Sequence, residues 1–363
     1  MHDRIHGAEC LALYASKDIL GLGAMANAIR ERRHGKNVYY NHNRHINYSN
    51  VCYVKCKFCA FGVHERDAKS YRLAMDDMVR LGREAALQGA TELHIVGGLD
   101  PKLPYEFYLE LLQNLKQAAP SLHLKAFTAV ELDYFTKIGR RTLEQVLCDL
   151  IDAGLGSLPG GGAEILTEPT RSQICAHKLS GEDWIDIHRT AHRMGLKSNA
   201  TMLYGHIESA VDKVGHLKMI RDLQDETGGF QTFIPLAFHP ENTDLASCPP
   251  TTGMTDLKEI AISRIYLDNI PHIKVYWIMT GVRIAQLALG FGADDIDGTV
   301  VQERIVHMAG ATSPQEMTVK ELKRLIVETG RVPVERDTLY NMREVSHGDI
   351  EGPVKDRLAG SGF

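Results

Sequence analysis

The 363-residue sequence has no stretch of 18 apolar residues, so no helix able to span a bilayer is expected, and no membrane role. Its opening residues, Met1-His2-Asp3-Arg4-Ile5-His6, carry charge with no apolar run behind it, so no secretory leader is expected there. It also lacks internal repeats and low-complexity segments. Neither sign of charge dominates: 41 Lys and Arg against 46 Asp and Glu leave a net charge of -5, which argues against a nucleic-acid partner. The densest basic run, residues 30–36, falls at an expected helix end, where cations favour the dipole. A disulfide framework is missing too. Seven cysteines is an odd count, and Cys10, Cys148, Cys175 and Cys248 stand apart, which suits a reducing cytosol and a cytoplasmic protein.

The other three cysteines are the informative ones. Cys52-Tyr53-Val54-Lys55-Cys56-Lys57-Phe58-Cys59 has C-x3-C-x2-C spacing, which lets one loop present three thiolates to three irons of a cubane cluster and leaves the fourth iron open to a substrate. The alternative is a structural zinc site with His64 as fourth ligand, although zinc sites usually pair two short clusters or end in H-x3-5-H, and neither is present. The spacing, with Phe58 before the third cysteine, resembles the radical S-adenosylmethionine (radical SAM) superfamily. That resemblance implies a 4Fe–4S cluster on Cys52, Cys56 and Cys59. It also implies S-adenosylmethionine on the open iron as the source of a 5'-deoxyadenosyl radical, with Phe58 beside the adenine.

From Ile46 onward, β-type runs alternate with helical ones, the pattern of a parallel sheet covered by helices. The eight strand runs are 46–51, 92–96, 122–129, 155–158, 197–203, 231–237, 273–278 and 294–298. Several helices between them are punctuated. Thr142 with Gln145 and Thr318 with Glu321 read as capping boxes, and Pro104 opens a helix. The span matches the roughly 250 residues of a closed α/β barrel. The expected fold is α/β: a (βα)8 TIM-type barrel of the radical SAM kind over 46–300, with an N-terminal helical extension over 1–45. C-terminal helices over 301–363 complete it, with a loosely ordered polar tail from Arg343.

In such a barrel the residues after each strand line the catalytic rim. Gly97-Gly98-Leu99-Asp100 stands where the superfamily usually has Gly-Gly-Glu for the methionine amino group, so Gly97, Gly98 and Asp100 are expected to serve it. Pro159-Gly160-Gly161-Gly162-Ala163-Glu164 is rich enough in glycine to offer bare N–H groups to a carboxylate, with Gly161 and Gly162 central. Glu164 is expected at the ribose, or as a helix-start carboxylate. The run 199–208 resembles the superfamily's adenine-side G-x-I-x-G-x-x-E, with Thr201 and Leu203 replacing its first glycine and its isoleucine. Asn199, Thr201, Leu203 and Glu208 are therefore cofactor candidates. Arg44, His45, His239 and Arg283 are candidates for an acidic substrate, since charge-assisted contacts to carboxylate are the stronger ones.

Segments 34–61, 159–165, 188–208, 223–242, 267–277 and 297–310 together resemble the aminofutalosine synthase family within that superfamily. This implies a transferase of menaquinone biosynthesis that adds the adenosyl radical to 3-[(1-carboxyvinyl)oxy]benzoate. Aryl migration and loss of a carboxylate would then give 6-amino-6-deoxyfutalosine, with flavodoxin or ferredoxin as reductant. The related dehypoxanthine futalosine cyclase stays open as a second enzyme, and a non-catalytic iron–sulfur or zinc protein as a different class.

Overall fold

A computed structural model describes residues 4–343; of the polar tail expected from Arg343, all but Arg343 lies outside them. Among the described residues no helix is long and apolar enough to cross a membrane. The strands are β1 (Asn37–Asn41), β2 (Asn43–Ile46), β3 (Glu92–Ile95), β4 (His123–Ala126), β5 (Ser157–Leu158), β6 (Lys197–Tyr204), β7 (Phe230–Ala237), β8 (His272–Ile273), β9 (Asp295–Gly298) and β10 (Val332–Glu335). Strands β2 to β8 form one sheet in sequence order, and β9 and β10 flank β1 in a second. Two parallel bridges join the sheets: Lys274 with Asp295 beside β8, and Arg44 in β2 with Val301 just past β9. The Val275 amide donates to Asp295 O at 2.9 Å, and the His45 amide donates to Val301 O at 3.0 Å. The curled sheet therefore meets itself across β9, giving the α/β barrel expected from the alternation.

Helix starts follow local chemistry. Thr142 and Gln145 cap each other at the start of Leu143–Ala153, which buries Val146, Leu147 and Leu150 and ends on Gly154 at φ 113°. Thr318 and Glu321 do the same for Val319–Glu328, and Pro104 precedes Tyr105–Ala118. The apolar core lies between strands and helices. A Cβ on Gly82 of the helix Met75–Leu87 would stand 3.5 Å from Leu93 of β3, so that helix packs closely on the sheet's outer face.

The run 122–129 is strand only over His123–Ala126, with Ala129 opening a helix, and two strands depart further from expectation. The first barrel strand is Asn43–Ile46, not 46–51, because Asn43 and His45 face a polar cavity and so hide the strand from a search for apolar runs. The run 273–278 narrows to His272–Ile273, and Trp277–Thr280 is helical, with the Trp277 indole donating to Gly298 O at 2.9 Å. The terminal regions also contribute β1 and β10. Pro333 sits in β10 at the outer edge of its sheet, where a missing N–H is tolerated.

Several histidines are packed as neutral polar links. His123 shares a hydrogen bond with Ser157 Oγ at 2.8 Å, His192 with Ser198 Oγ at 2.7 Å, and His216 Nδ1 accepts the Leu166 amide at 3.1 Å. Burial pushes His123 and His192 down to about 4 and His216 to about 3. The unfolded chain would bind these protons near pH 6.5. Their stabilisation is thus complete above that pH and is lost as pH falls toward 4. Urea unfolding measured from pH 7 to 5 is expected to show falling stability, each histidine contributing up to about 1.4 kcal/mol per pH unit. A flat profile would contradict this.

Candidate active site

One cavity of about 330 Å³ runs from the loops after the strands into the barrel. At its mouth lie Cys52, Cys56 and Cys59, all half-buried. Backbone bonds fold their loop: the Cys52 amide donates to Val63 O at 3.0 Å, and the Cys59 amide to Cys56 O at 3.1 Å. The Gly62 amide donates to Cys59 Sγ at 3.3 Å. A Cβ on Gly62 would stand 3.2 Å from Cys52 Cβ and 3.7 Å from Cys59 Sγ, so glycine keeps open the space between those two thiols. Burial pushes the Cys56 thiol up to about 12 and raises Cys59 as well, so cations must displace protons to make them ligands.

This donor set fits a thiolate-bound iron–sulfur cluster. Three soft thiolates on one loop, with Gly62 keeping open the space between two of them, suit such a cluster. His64 is exposed, and its Nδ1 accepts the Arg66 amide at 3.2 Å. It does not join the cysteines.

Around the thiols, the cavity is lined by Phe58, Gly97, Gly98, Gly161, Gly162, Glu164, Asn199, Thr201 and Leu203, which the structure brings together from three loops and one strand. The glycine loop has a clear polarity. Its carbonyls are taken by side chains: Gly160 O by Thr201 Oγ1 at 2.7 Å, Gly161 O by the Trp184 indole at 3.2 Å, and Gly162 O by Arg171 at 3.1 Å, the last two from residues outside the cavity lining. Buried Arg171 also binds Ala163, Ile165 and Leu179 carbonyls. No hydrogen bond engages the amides of residues 160–163 among the described residues, so they stand unpaired where that loop borders the cavity. Glu164 pairs with Lys178, whose ammonium lies 5.3 Å from the Phe58 ring centre. Burial opposes that charge, but the Glu164 carboxylate holds Lys178 above its ordinary value.

Four candidates stand outside this lining. Asp100 is fully buried and already accepts Arg72 at 2.6 and 2.9 Å, Ser49 Oγ at 2.8 Å and the Lys102 amide at 3.0 Å, so it does not replace the missing glutamate. Its carboxylate anchors the loop instead. Glu208 accepts the amides of Gly205 and His206 at 2.7 and 2.8 Å and closes its own turn. Arg44 reaches outward to Glu84 at 3.4 Å, and Arg283 is exposed. His239 does line the cavity, its Nε2 bonded to Met279 O at 2.9 Å. A carboxylate that sequence reasoning missed does reach the Gly-Gly turn. Buried Glu131 accepts the Gly97 amide at 3.2 Å and Tyr48 Oη at 2.6 Å, while its other oxygen caps Thr128.

Deeper in the barrel, Asn43, His45, Glu92, His94, Lys125, Lys274 and Asp297 form a charged floor. Of these only His45 was expected at the site. Lys125 donates to Glu92 at 2.7 Å, and Lys274 donates to Asp297 at 3.0 Å. His45 and His94 are register partners on β2 and β3, stacked 4.6 Å apart. A signal was present in the sequence: Asn43-x-His45, Glu92-x-His94, His123-x-Lys125 and Asn199-x-Thr201 put a polar residue at every second position. Parallel strands covered on both faces are otherwise apolar, so such alternation marks a polar interior.

Residues 46–220 match the radical SAM superfamily, and residues 227–348 match the CofH/MqnC C-terminal region. The chain is 46% identical to the aminodeoxyfutalosine synthase of Thermus thermophilus, over 94% of this chain and 92% of that protein. It is 38% identical to the cyclic dehypoxanthine futalosine synthase of Streptomyces coelicolor, over 98% and 90%. It is also 38% identical to the 5-amino-6-(D-ribitylamino)uracil--L-tyrosine 4-hydroxyphenyl transferase of Methanopyrus kandleri, over 92% of each. Among solved structures, methylornithine synthase (PylB) superposes with a TM-score of 0.73 at 18% identity, covering 92% of this chain and 95% of that one, a likeness of fold.

Gly98 provides a test of the mouth. A Cβ there would stand 2.3 Å from Val51 O, immediately before Cys52. Gly98→Ala is expected to cost about 1–3 kcal/mol of stability and to remove most reconstituted iron and its visible absorbance per folded chain. Full iron loading in a folded variant would contradict the role given to this close approach.

Proposed function

The chain belongs to the aminodeoxyfutalosine synthase family of radical SAM enzymes, in the futalosine route to menaquinone, and on that premise we propose that it makes 6-amino-6-deoxyfutalosine. The proposed reactants are S-adenosylmethionine and 3-[(1-carboxyvinyl)oxy]benzoate. A 4Fe–4S cluster on Cys52, Cys56 and Cys59, with S-adenosylmethionine at its open iron, would supply the 5'-deoxyadenosyl radical that adds to the vinyl carbon before the aryl group moves and a carboxylate leaves. The observation that carries this reading is the single cavity with two unlike ends. Three thiols and a free-amide loop stand at its mouth, and a charged floor lies at its depth.

Each end has work that its residues can do. The amides of residues 160–163 suit the methionine carboxylate, held in place because Thr201, Trp184 and Arg171 fix the loop's carbonyls. Glu131 orders Gly97, whose turn borders the same space. Phe58 offers an aromatic face beside the thiols for the adenine, and Asn199, Thr201 and Leu203 line the wall between mouth and floor. The closed wall keeps bulk water from a reactive carbon, which is the protein's share in cofactor-driven chemistry. A flavodoxin or ferredoxin would reduce the cluster.

The test is anaerobic turnover of reconstituted enzyme with dithionite, S-adenosylmethionine and the enolpyruvyl benzoate, followed by mass spectrometry. The expected product joins adenosine to the aryl group, with carbon dioxide or bicarbonate released, and Cys56→Ala should abolish it. Formation of 5'-deoxyadenosine alone, unchanged by the benzoate, would sink the substrate assignment and make a nucleoside of the cyclase type the next to try.

A further inference from the structure

Lys125 and Lys274 are each only 3% exposed, and both border the cavity. An ammonium carries three hydrogens, yet among the described residues each donates one hydrogen bond, Lys125 to Glu92 and Lys274 to Asp297. Two donors per lysine are therefore left at the cavity, where a buried charge without full partners is costly. Two of the nearby carboxylates have further partners. Glu92 Oε2 also accepts Asn41 at 3.3 Å and Thr338 at 2.8 Å, and Glu303 accepts the amides of Ile305 and Val306. Lys274 is near enough to influence the titration of both Lys125 and Glu92, so the two pairs form one floor.

Beside that floor stands the His45–His94 stack, tilted by 15°, with His94 in register with Lys125. Both rings line the cavity and neither has a hydrogen-bond partner among the described residues. Burial keeps both below the ordinary imidazole range, hence neutral. A neutral stacked pair offers an outer ring face and N–H groups at its edges.

From this arrangement we infer that Lys125 and Lys274 bind the ring carboxylate of an arenecarboxylate substrate, with its aromatic ring against His45 and His94. The inference rests on the function proposed above and deepens it, since it fixes which end of the substrate lies deepest. Cations and carboxylates on the floor are matched one to one: Lys125 with Glu92 and Lys274 with Asp297. The incoming anion is therefore held by unused donors rather than by excess positive charge. Specificity for the carboxylate position follows from that directionality.

The experiment compares two substrates on the cluster-loaded enzyme, 3-[(1-carboxyvinyl)oxy]benzoate and the same enol ether without the ring carboxylate, in wild type and Lys274→Met. Removing one charged donor is expected to lower kcat/KM for the carboxylated substrate by about ten- to hundredfold. Turnover of the truncated substrate should fall by at least about tenfold less, because it never engaged that donor. Equal loss on both substrates, or on neither, would overturn the inference. Because Lys274→Met leaves Asp297 unpaired, the double variant Lys274→Met/Asp297→Asn removes both charges and serves if the single variant does not fold. Calorimetric titration of isophthalate into wild type and variant reads the same subsite without turnover. Weaker isophthalate binding in the variant supports the subsite even if wild type forms no adduct, an outcome that would defeat only the proposed reaction. Unchanged isophthalate binding counts against the subsite.

Discussion

A lysine ammonium inside a closed barrel stays charged only where carboxylates and other acceptors reach it, and that requirement organises the interior of this protein. Glu92 on β3 meets Lys125 on β4, and Lys274 after β8 meets Asp297 on β9, so ion pairs tie neighbouring strands together across the floor. Next to them, fully buried Arg336 pairs with Asp295 from the strand that completes the wall. Such pairs bring little net stability once desolvation is counted, but breaking one is costly. Their value is positional: they hold polar donors at fixed points around a space that an apolar filling would have closed.

The mouth obeys a different rule, close approach of backbone to ligand. Gly62 leaves room between two thiols, Gly98 lies against the chain just before Cys52, and the glycine loop turns its carbonyls inward to the protein. Arg171, buried and bonded wholly to carbonyls, is what makes that orientation stable. The long side chain of Arg171 is thus spent behind the site, and backbone, thiol and aromatic ring are offered to a ligand beside the polar Glu164, Lys178, Asn199 and Thr201.

How much was legible in the sequence depended on distance along the chain. The cysteine loop, the glycine-rich turns and the capping boxes are local patterns, and all could be read from adjacent residues. The alternation of strands and helices likewise showed the barrel. What escaped were groups that meet through register: Glu131 reaching back to Gly97, and Lys125, Lys274, Glu92 and His94 converging from three different strands or strand ends. The nearness of Asp100 to Gly-Gly in sequence says nothing of Arg72 and Ser49, which occupy its carboxylate. Arg44 faced outward because it lies one position off the inward alternation of Asn43 and His45. The first strand was set too late for the same reason, its polar inward residues reading as loop.

The central claim is that one cavity holds two reactants in a fixed order, cofactor at the thiol mouth and aryl carboxylate at the charged floor. An anaerobic crystal structure of the cluster-loaded enzyme with S-adenosylmethionine and isophthalate tests it most directly. The account predicts the methionine carboxylate on the amides of residues 160–163 and an isophthalate carboxylate between Lys125 and Lys274, its ring against His45 and His94. Isophthalate seated outside the barrel, or a floor unchanged and filled only by water while the mouth is loaded, would contradict it.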